Sequence, residues 1–255
     1  MNIIRRCCLL SLLLVLGCAG VQPTTIDKKA GANSRMQMGI SYLRQNNIPM
    51  AMRELDEASR LDPDNPEVDL GFGFAYQARG EHDVAERHFR NAIRKRPGYP
   101  EAYNGLGTSL SFQGKSDEAL KAFETAAKNV YYLTPEMAWF NMGEEYRRRK
   151  NYPKAESMYG KAVSSNDKFF DAHLARAAVR VEEKRLEEAA SGLEGAVSRN
   201  PGFIQGQVEL GRIYMRLGRN DAARKVFKDA SAGTGDPAIR RLAAEYLNLL
   251  GGKKK

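Results

Sequence analysis

Few side chains in this chain could do acid, base, metal or nucleophilic chemistry, and their spacing argues against it. His82 and His88 stand six residues apart. Two ligands on one face of a helix need an i,i+4 spacing instead. His173 has no cysteine or histidine near it, so the pattern predicts no metal site. Glu144-Glu145 would make a general acid/base pair only if burial separated their pKa values, and the flanking residues predict surface. No G-x-S-x-G nucleophile turn is present, and Gly71-Phe72-Gly73 lies within a helical pattern rather than in a phosphate loop. The sequence therefore predicts no catalytic residues, no cofactor and no small-molecule substrate, and points to a protein that binds other proteins.

The elements that position the remaining residues follow from a period. Gly39, Gly73, Gly107, Gly143, Ala177 and Gly211 recur at intervals of 34, 34, 36, 34 and 34 residues. A small residue returning at that period, with Tyr, Ala, a large residue and Ala at fixed offsets behind it, resembles the tetratricopeptide pattern of paired antiparallel helices. The units are 32–65, 66–99, 100–133, 136–169, 170–203 and 204–237. Ala51, Leu55 and Ala58 illustrate the second half of a unit, at helical spacings of four and three. Unit 170–203 departs most, with Ala177 for glycine and Arg180 for tyrosine, and looser packing is expected there. Residues 237–250 predict one more helix, opened by Pro237 and closed by Gly251-Gly252, which would cap the last unit. A single helix pair cannot bury its apolar face alone, so the units must stack. The predicted fold is an all-α solenoid, a right-handed superhelix of six helix-turn-helix units with a capping helix over 32–250.

The amino terminus predicts export. Arg5 and Arg6 precede an apolar run, Cys7 to Leu16, broken only by Ser11. That run is too short to span a bilayer and suits a secretory signal over 1–17. It ends in Val15-Leu16-Gly17-Cys18, which resembles a bacterial lipobox. The resemblance implies that Cys18 starts the mature chain and carries acyl groups, here the expected covalent lipid (palmitate among them). Ala19, where Asp often retains such proteins in the inner membrane, points to the outer membrane. Residues 18–31 read as the lipidated end and a flexible tether with a reach of at most ~45 Å from its thirteen residues after the cysteine. Cys7 and Cys8 would leave with the signal, so no disulfide is expected.

The net charge of +9 falls to +7 without Arg5 and Arg6. Bases and acids are interspersed, and a nucleic-acid partner would need a basic face on a recognition fold; none is predicted. Arg147-Arg148-Arg149-Lys150 and the tail 251–255, with Lys253-Lys254-Lys255, are the basic clusters. Arg147 and Arg148 are candidate electrostatic contacts to an acidic partner segment or anionic headgroups.

In such solenoids the first helix of each unit lines the concave side, at unit positions 2, 5, 9, 12 and 13. Met36, Ile40, Leu43, Leu70 and Phe74 fall there in the first two units and are apolar where solvent is expected. Exposed apolar patches mark binding surfaces, so these five are the candidate partner-binding groove. Met36 and Ile40 stand where a carboxylate-gripping groove carries Lys and Asn, so an apolar peptide suits better.

With these features the chain resembles the PilW/PilF/Tgl family of six-repeat pilotin lipoproteins. The particular part is Tyr103-Asn104-Gly105-Leu106-Gly107-Thr108, then Gln113-Gly114 and Asp117-Glu118-Ala119, then Val130-Tyr131-Tyr132-Leu133-Thr134-Pro135-Glu136. That last segment holds two extra residues, like a Tyr- and Pro-containing insertion of the family. The resemblance implies an outer-membrane lipoprotein facing the periplasm that binds the type IV pilus secretin, promotes its localisation and multimer assembly, and so supports twitching motility. The alternative partner is another envelope protein, with the chain as an adaptor for peptidoglycan enzymes or proteases.

Overall fold

A computed structural model describes residues 25–251. The leader 1–17, Cys18 and most of the tail 251–255 lie outside the described residues. Thirteen helices and no strand occur among the described residues, in the order α1 (Thr25–Arg44), α2 (Ile48–Leu61), α3 (Pro66–Ala78), α4 (His82–Lys95), α5 (Pro100–Phe112), α6 (Ser116–Ala127), α7 (Pro135–Arg148), α8 (Tyr152–Ser165), α9 (Phe170–Glu182), α10 (Leu186–Arg199), α11 (Ile204–Arg216), α12 (Asn220–Ala232) and α13 (Pro237–Gly251). Each helix packs mainly on its chain neighbours, as a stack of antiparallel pairs requires.

Local signals set the helix ends. Pro66, Pro100 and Pro135 each begin a helix, where the missing N–H removes nothing. Asn47, Asn65 and Asn151 accept a hydrogen bond from a first-turn amide. The turn inside every unit passes through one left-handed residue, in sequence order Asn46, Gly80, Gly114, Lys150, Lys184 and Gly218. Gly80, Gly114 and Gly218 adopt it freely, whereas Lys150 and Lys184 hold φ values of 57° and 62° against Cβ crowding.

The core is a repeated contact between a small residue on the first helix and a large one on the second. A Cβ on Gly73 would sit 2.5 Å from the Phe89 ring, one on Gly107 2.6 Å from Phe123, one on Gly143 2.5 Å from Tyr159 and one on Gly211 2.6 Å from Phe227. Gly39 meets Leu55 in the same way. The large side chains and the alanines flanking them are all buried. In the fifth unit Ala177 keeps its Cβ and the facing residue shrinks to Leu193. Its helices α9 and α10 pack less extensively than α7 and α8 do. Arg180 there bonds Glu156 of α8 at 2.6 Å and donates to the Glu188 carbonyl at 2.8 Å, so an ionic bridge replaces the apolar contact a tyrosine would supply.

One boundary needs correction. The flexible tether expected over 18–31 is helical from Thr25 onward. Lys28, Lys29, Ala30 and Ala32 form helix readily, and extending a helix already anchored by buried Ala32 and Met36 costs far less than starting one.

Two glycines should respond oppositely to alanine. Gly107→Ala drives a methyl into the fixed Phe123 ring and should cost about 1–3 kcal/mol. Gly160, inside α8, has nothing within 4 Å of its missing Cβ, so Gly160→Ala should gain about 1 kcal/mol. Urea midpoints of the two variants check both signs.

Candidate partner-binding surface

The five groove candidates do not form an open apolar groove. Met36 is 1% exposed and sits with Leu55, Ala58, Val68 and Ala75, and Ile40 and Leu43 pack against that cluster. Leu70 is buried with Tyr99, Ala102 and Leu106 of the next unit. Ile40 and Leu43 are half-buried, and Phe74 is the most open of the five, at 37% exposure, with its ring edge-on to Phe89 at 5.3 Å. The reason is lateral: α1 touches α3 and α3 touches α5, so apolar residues at these positions seal the seam between successive first helices.

Arg147 and Arg148 are likewise committed within the chain. Arg147 bonds Glu144 at 2.8 Å and lies 3.9 Å from Glu182. Arg148 pairs with the buried Glu145 at 2.6 Å and donates to Ser111 Oγ. Both side chains remain partly exposed, at 39% and 51%, so these pairs hold the two guanidinium groups in place at the surface. Ser111 Oγ donates to Glu145 at 2.7 Å, and Tyr159 donates its hydroxyl to Glu144 at 2.5 Å. Burial works to raise the Glu144 pKa, but hydrogen bonds from Arg147 and Tyr159 outweigh it and hold the carboxylate ionised below its usual range. Burial first, and the hydrogen bond to Glu144 second, push the Tyr159 hydroxyl well above the ordinary phenol value. These groups form a charged strut between units three, four and five.

Two clefts bear on partner binding. One of about 320 Å³ lies between α5 and α7, lined by Thr108, Phe112, Asn141 and Glu144 with Phe123 at its floor. Asn141 occupies the unit position at which Gly71 and Gly105 let the preceding units close. Phe112, 70% exposed, forms the rim and stacks on His82 at 4.3 Å. The second, about 470 Å³, lies over α9 and α11. Leu174, Ala178, Val181 and Ile213 make its apolar floor, and Glu144, Arg147, Glu182 and Glu209 its charged rim. An apolar floor inside a polar rim is the build of a peptide-binding surface. Leu174, Ala178 and Val181 hold positions 5, 9 and 12 of their unit, so the positional rule used on the first two units finds them when applied to the fifth.

The Tetratricopeptide repeat family matches residues 70–129, 105–156 and 140–203 in overlapping segments, and a second match of the same description covers 180–246. The chain belongs to the tetratricopeptide repeat family. No curated protein matches it in sequence. Its fold is similar to that of PilF from Pseudomonas aeruginosa, at 18% identity over 86% of this chain and 99% of that one with a TM-score of 0.68. It is similar to PilW, a type IV pilus biogenesis factor, at 21% identity over 84% and 98% with a TM-score of 0.67. YrrB, a repeat protein with an unusual peptide-binding site, shares the fold at 17% identity over 75% and 97% with a TM-score of 0.51.

In this tetratricopeptide repeat protein the histidines serve packing. His88 meets Asp69 at 3.1 Å and stacks against both Phe72 and Tyr76 at 5.1 and 5.4 Å. Lys95 also bonds Asp69. Burial opposes ionisation of Asp69, yet the His88 and Lys95 hydrogen bonds win and set its pKa below the usual value. Among the described residues no group of three His, Cys, Asp or Glu is placed to hold a metal ion.

His173 is 7% exposed and donates from Nε2 to the Asp167 carbonyl at 2.9 Å. Burial lowers its pKa, and Arg199 and Arg176 add to that, against the opposing Asp167 hydrogen bond. A depressed histidine contributes stability that is whole above the unfolded value near 6.5 and fades as pH falls toward the folded one. Urea midpoints should therefore drop between pH 7.5 and 5, by at most about 1.4 kcal/mol per pH unit from this group. His173→Gln should flatten that slope.

Proposed function

We propose that this chain is a type IV pilus biogenesis scaffold of the pilotin kind: a lipoprotein, anchored through Cys18 to the outer membrane and facing the periplasm, that binds the pilus secretin and promotes its multimer assembly. One observation carries the reading. The fold corresponds to PilF and PilW along nearly their whole lengths, in a chain whose start resembles a lipoprotein leader. The repeat fold is a protein-interaction scaffold, and the work assigned to it is non-covalent.

The cleft over α9 and α11 is the proposed seat of the partner. Its floor of Leu174, Ala178, Val181 and Ile213 takes apolar side chains, and its rim carries both signs, Arg147 beside Glu144, Glu182 and Glu209, so polar contacts at the edge would set the register of the bound segment. Burying one leucine-sized anchor there is worth about 1.5–3 kcal/mol.

Deleting the gene should abolish heat-stable secretin multimers and twitching; normal multimers in the deletion strain would sink the reading. Ala178→Glu with Val181→Glu, in solvent-accessible floor positions, should lower secretin multimers at least about tenfold with helix content unchanged by circular dichroism. Wild-type multimer levels in that variant would move the binding site off this cleft.

A further inference from the structure

The extra residues between α6 and α7 build an exposed apolar tip. Val130, Tyr131 and Leu133 are 88%, 84% and 89% exposed, and Met137 at the start of α7 is partly exposed beside them. No other inter-unit loop of the described residues exposes such a group of large apolar side chains. The tip is held firmly. Tyr132 points inward and is buried, in contact with the Ala126, Ala127 and Ala138 cluster. Asn129 donates to the Gly98 carbonyl at 2.7 Å and accepts from the Tyr131 amide at 2.9 Å. No exposed unpaired acid flanks it: Lys128 pairs with Glu124 at 2.5 Å, and Glu136 is buried against Asn166 at 3.1 Å.

Topology says what this tip faces. Antiparallel pairs put the start of α1 and every inter-unit loop on one edge of the solenoid. A ladder of contacts follows that edge, with Asn65 on Asn33, Lys95 on Pro63, Asn129 on Gly98 and Asn166 on Glu136. The chain reaches Thr25 from Cys18 in seven residue steps. Seven steps span at most about 25 Å, and the helical rise from Thr25 to Asn33 adds about 12 Å, so the edge lies within about 37 Å of Cys18. If acyl groups sit on Cys18, this edge stays close to the bilayer.

We propose that the Val130–Leu133 tip docks into the bilayer interface, so that the lipid anchor and this loop together set the orientation of the solenoid on the membrane. The inference rests on the lipidated Cys18 of the proposed function. A tyrosine flanked by valine and leucine suits the headgroup–acyl boundary, where an aromatic ring can bury its face and keep its hydroxyl wet. A rigid tip inserts with little ordering cost.

The test uses the full lipidated protein in vesicles of phosphatidylethanolamine and phosphatidylglycerol with brominated acyl chains. The native tryptophan is removed by Trp139→Phe, and a reporter is placed by Tyr131→Trp or, at the opposite edge near the end of α13, by Leu249→Trp. Both reporter sites are well exposed, so folding is not at stake in them; circular dichroism checks the Trp139→Phe background. Emission from residue 131 should fall roughly twofold on bromination and shift to the blue, with residue 249 unchanged. No quenching at 131, or equal quenching at both sites, overturns the proposal. Mass analysis of the mature amino terminus separates the two claims: acylated Cys18 without quenching defeats the tip alone, and an unmodified Cys18 defeats both.

Discussion

A bulky side chain pressed onto a backbone that lacks a Cβ is the contact on which this solenoid depends. It works twice in the early units. Leu55 meets Gly39 of its own unit and Gly71 of the next, and Phe89 meets Gly73 and Gly105 in the same manner. One side chain thus fixes both the spacing inside a helix pair and the spacing to the following pair. Because that contact tolerates no extra atom, the period of small residues is also the period of the structure.

Where the double contact lapses, the surface becomes available. At the third-to-fourth junction Asn141 stands in place of the second glycine, and a cleft opens over Phe123. In the fifth unit Ala177 faces Leu193, and polar bonds take over part of the binding between units: Glu156 meets Arg180 at 2.6 Å, Arg185 at 2.7 Å and Arg176 at 3.6 Å. A shared carboxylate with little solvent around it is worth more than the same pairs fully exposed. The concave floor over α9 and α11 lies on the same unit. The unit that departs furthest from the pattern also carries a partly apolar cleft, where Leu174 and Val181 pack on the core with one side and leave the other open beside the exposed Ala178.

Two surfaces with different demands follow. The concave cleft has an apolar floor within a charged rim. The inter-unit edge presents a pinned loop on the side from which the amino terminus enters α1. A helix beginning at Thr25 leads into the first pair on that same edge.

Much of the fold was legible in residue order. The small residues at 34- and 36-residue spacing, the Ala-large-Ala set of each second helix and the helix-opening prolines each act through contacts a few residues away or one unit along, so the primary structure by itself determined the helix pairs, their number and the closing α13. It also determined the two-residue insertion before Pro135. The candidate groove was not legible, because Met36 and Leu70 carry the same apolar signature whether they face a partner or the seam between neighbouring first helices. Only the lateral packing of α1, α3 and α5 decided that they are core. Pairing decided the fate of Arg147 and Arg148 likewise, since their carboxylate partners Glu182 and Glu145 become neighbours through the fold and the helix register. Burial and ion pairing depend on what arrives from other units, and only the tertiary structure specifies that.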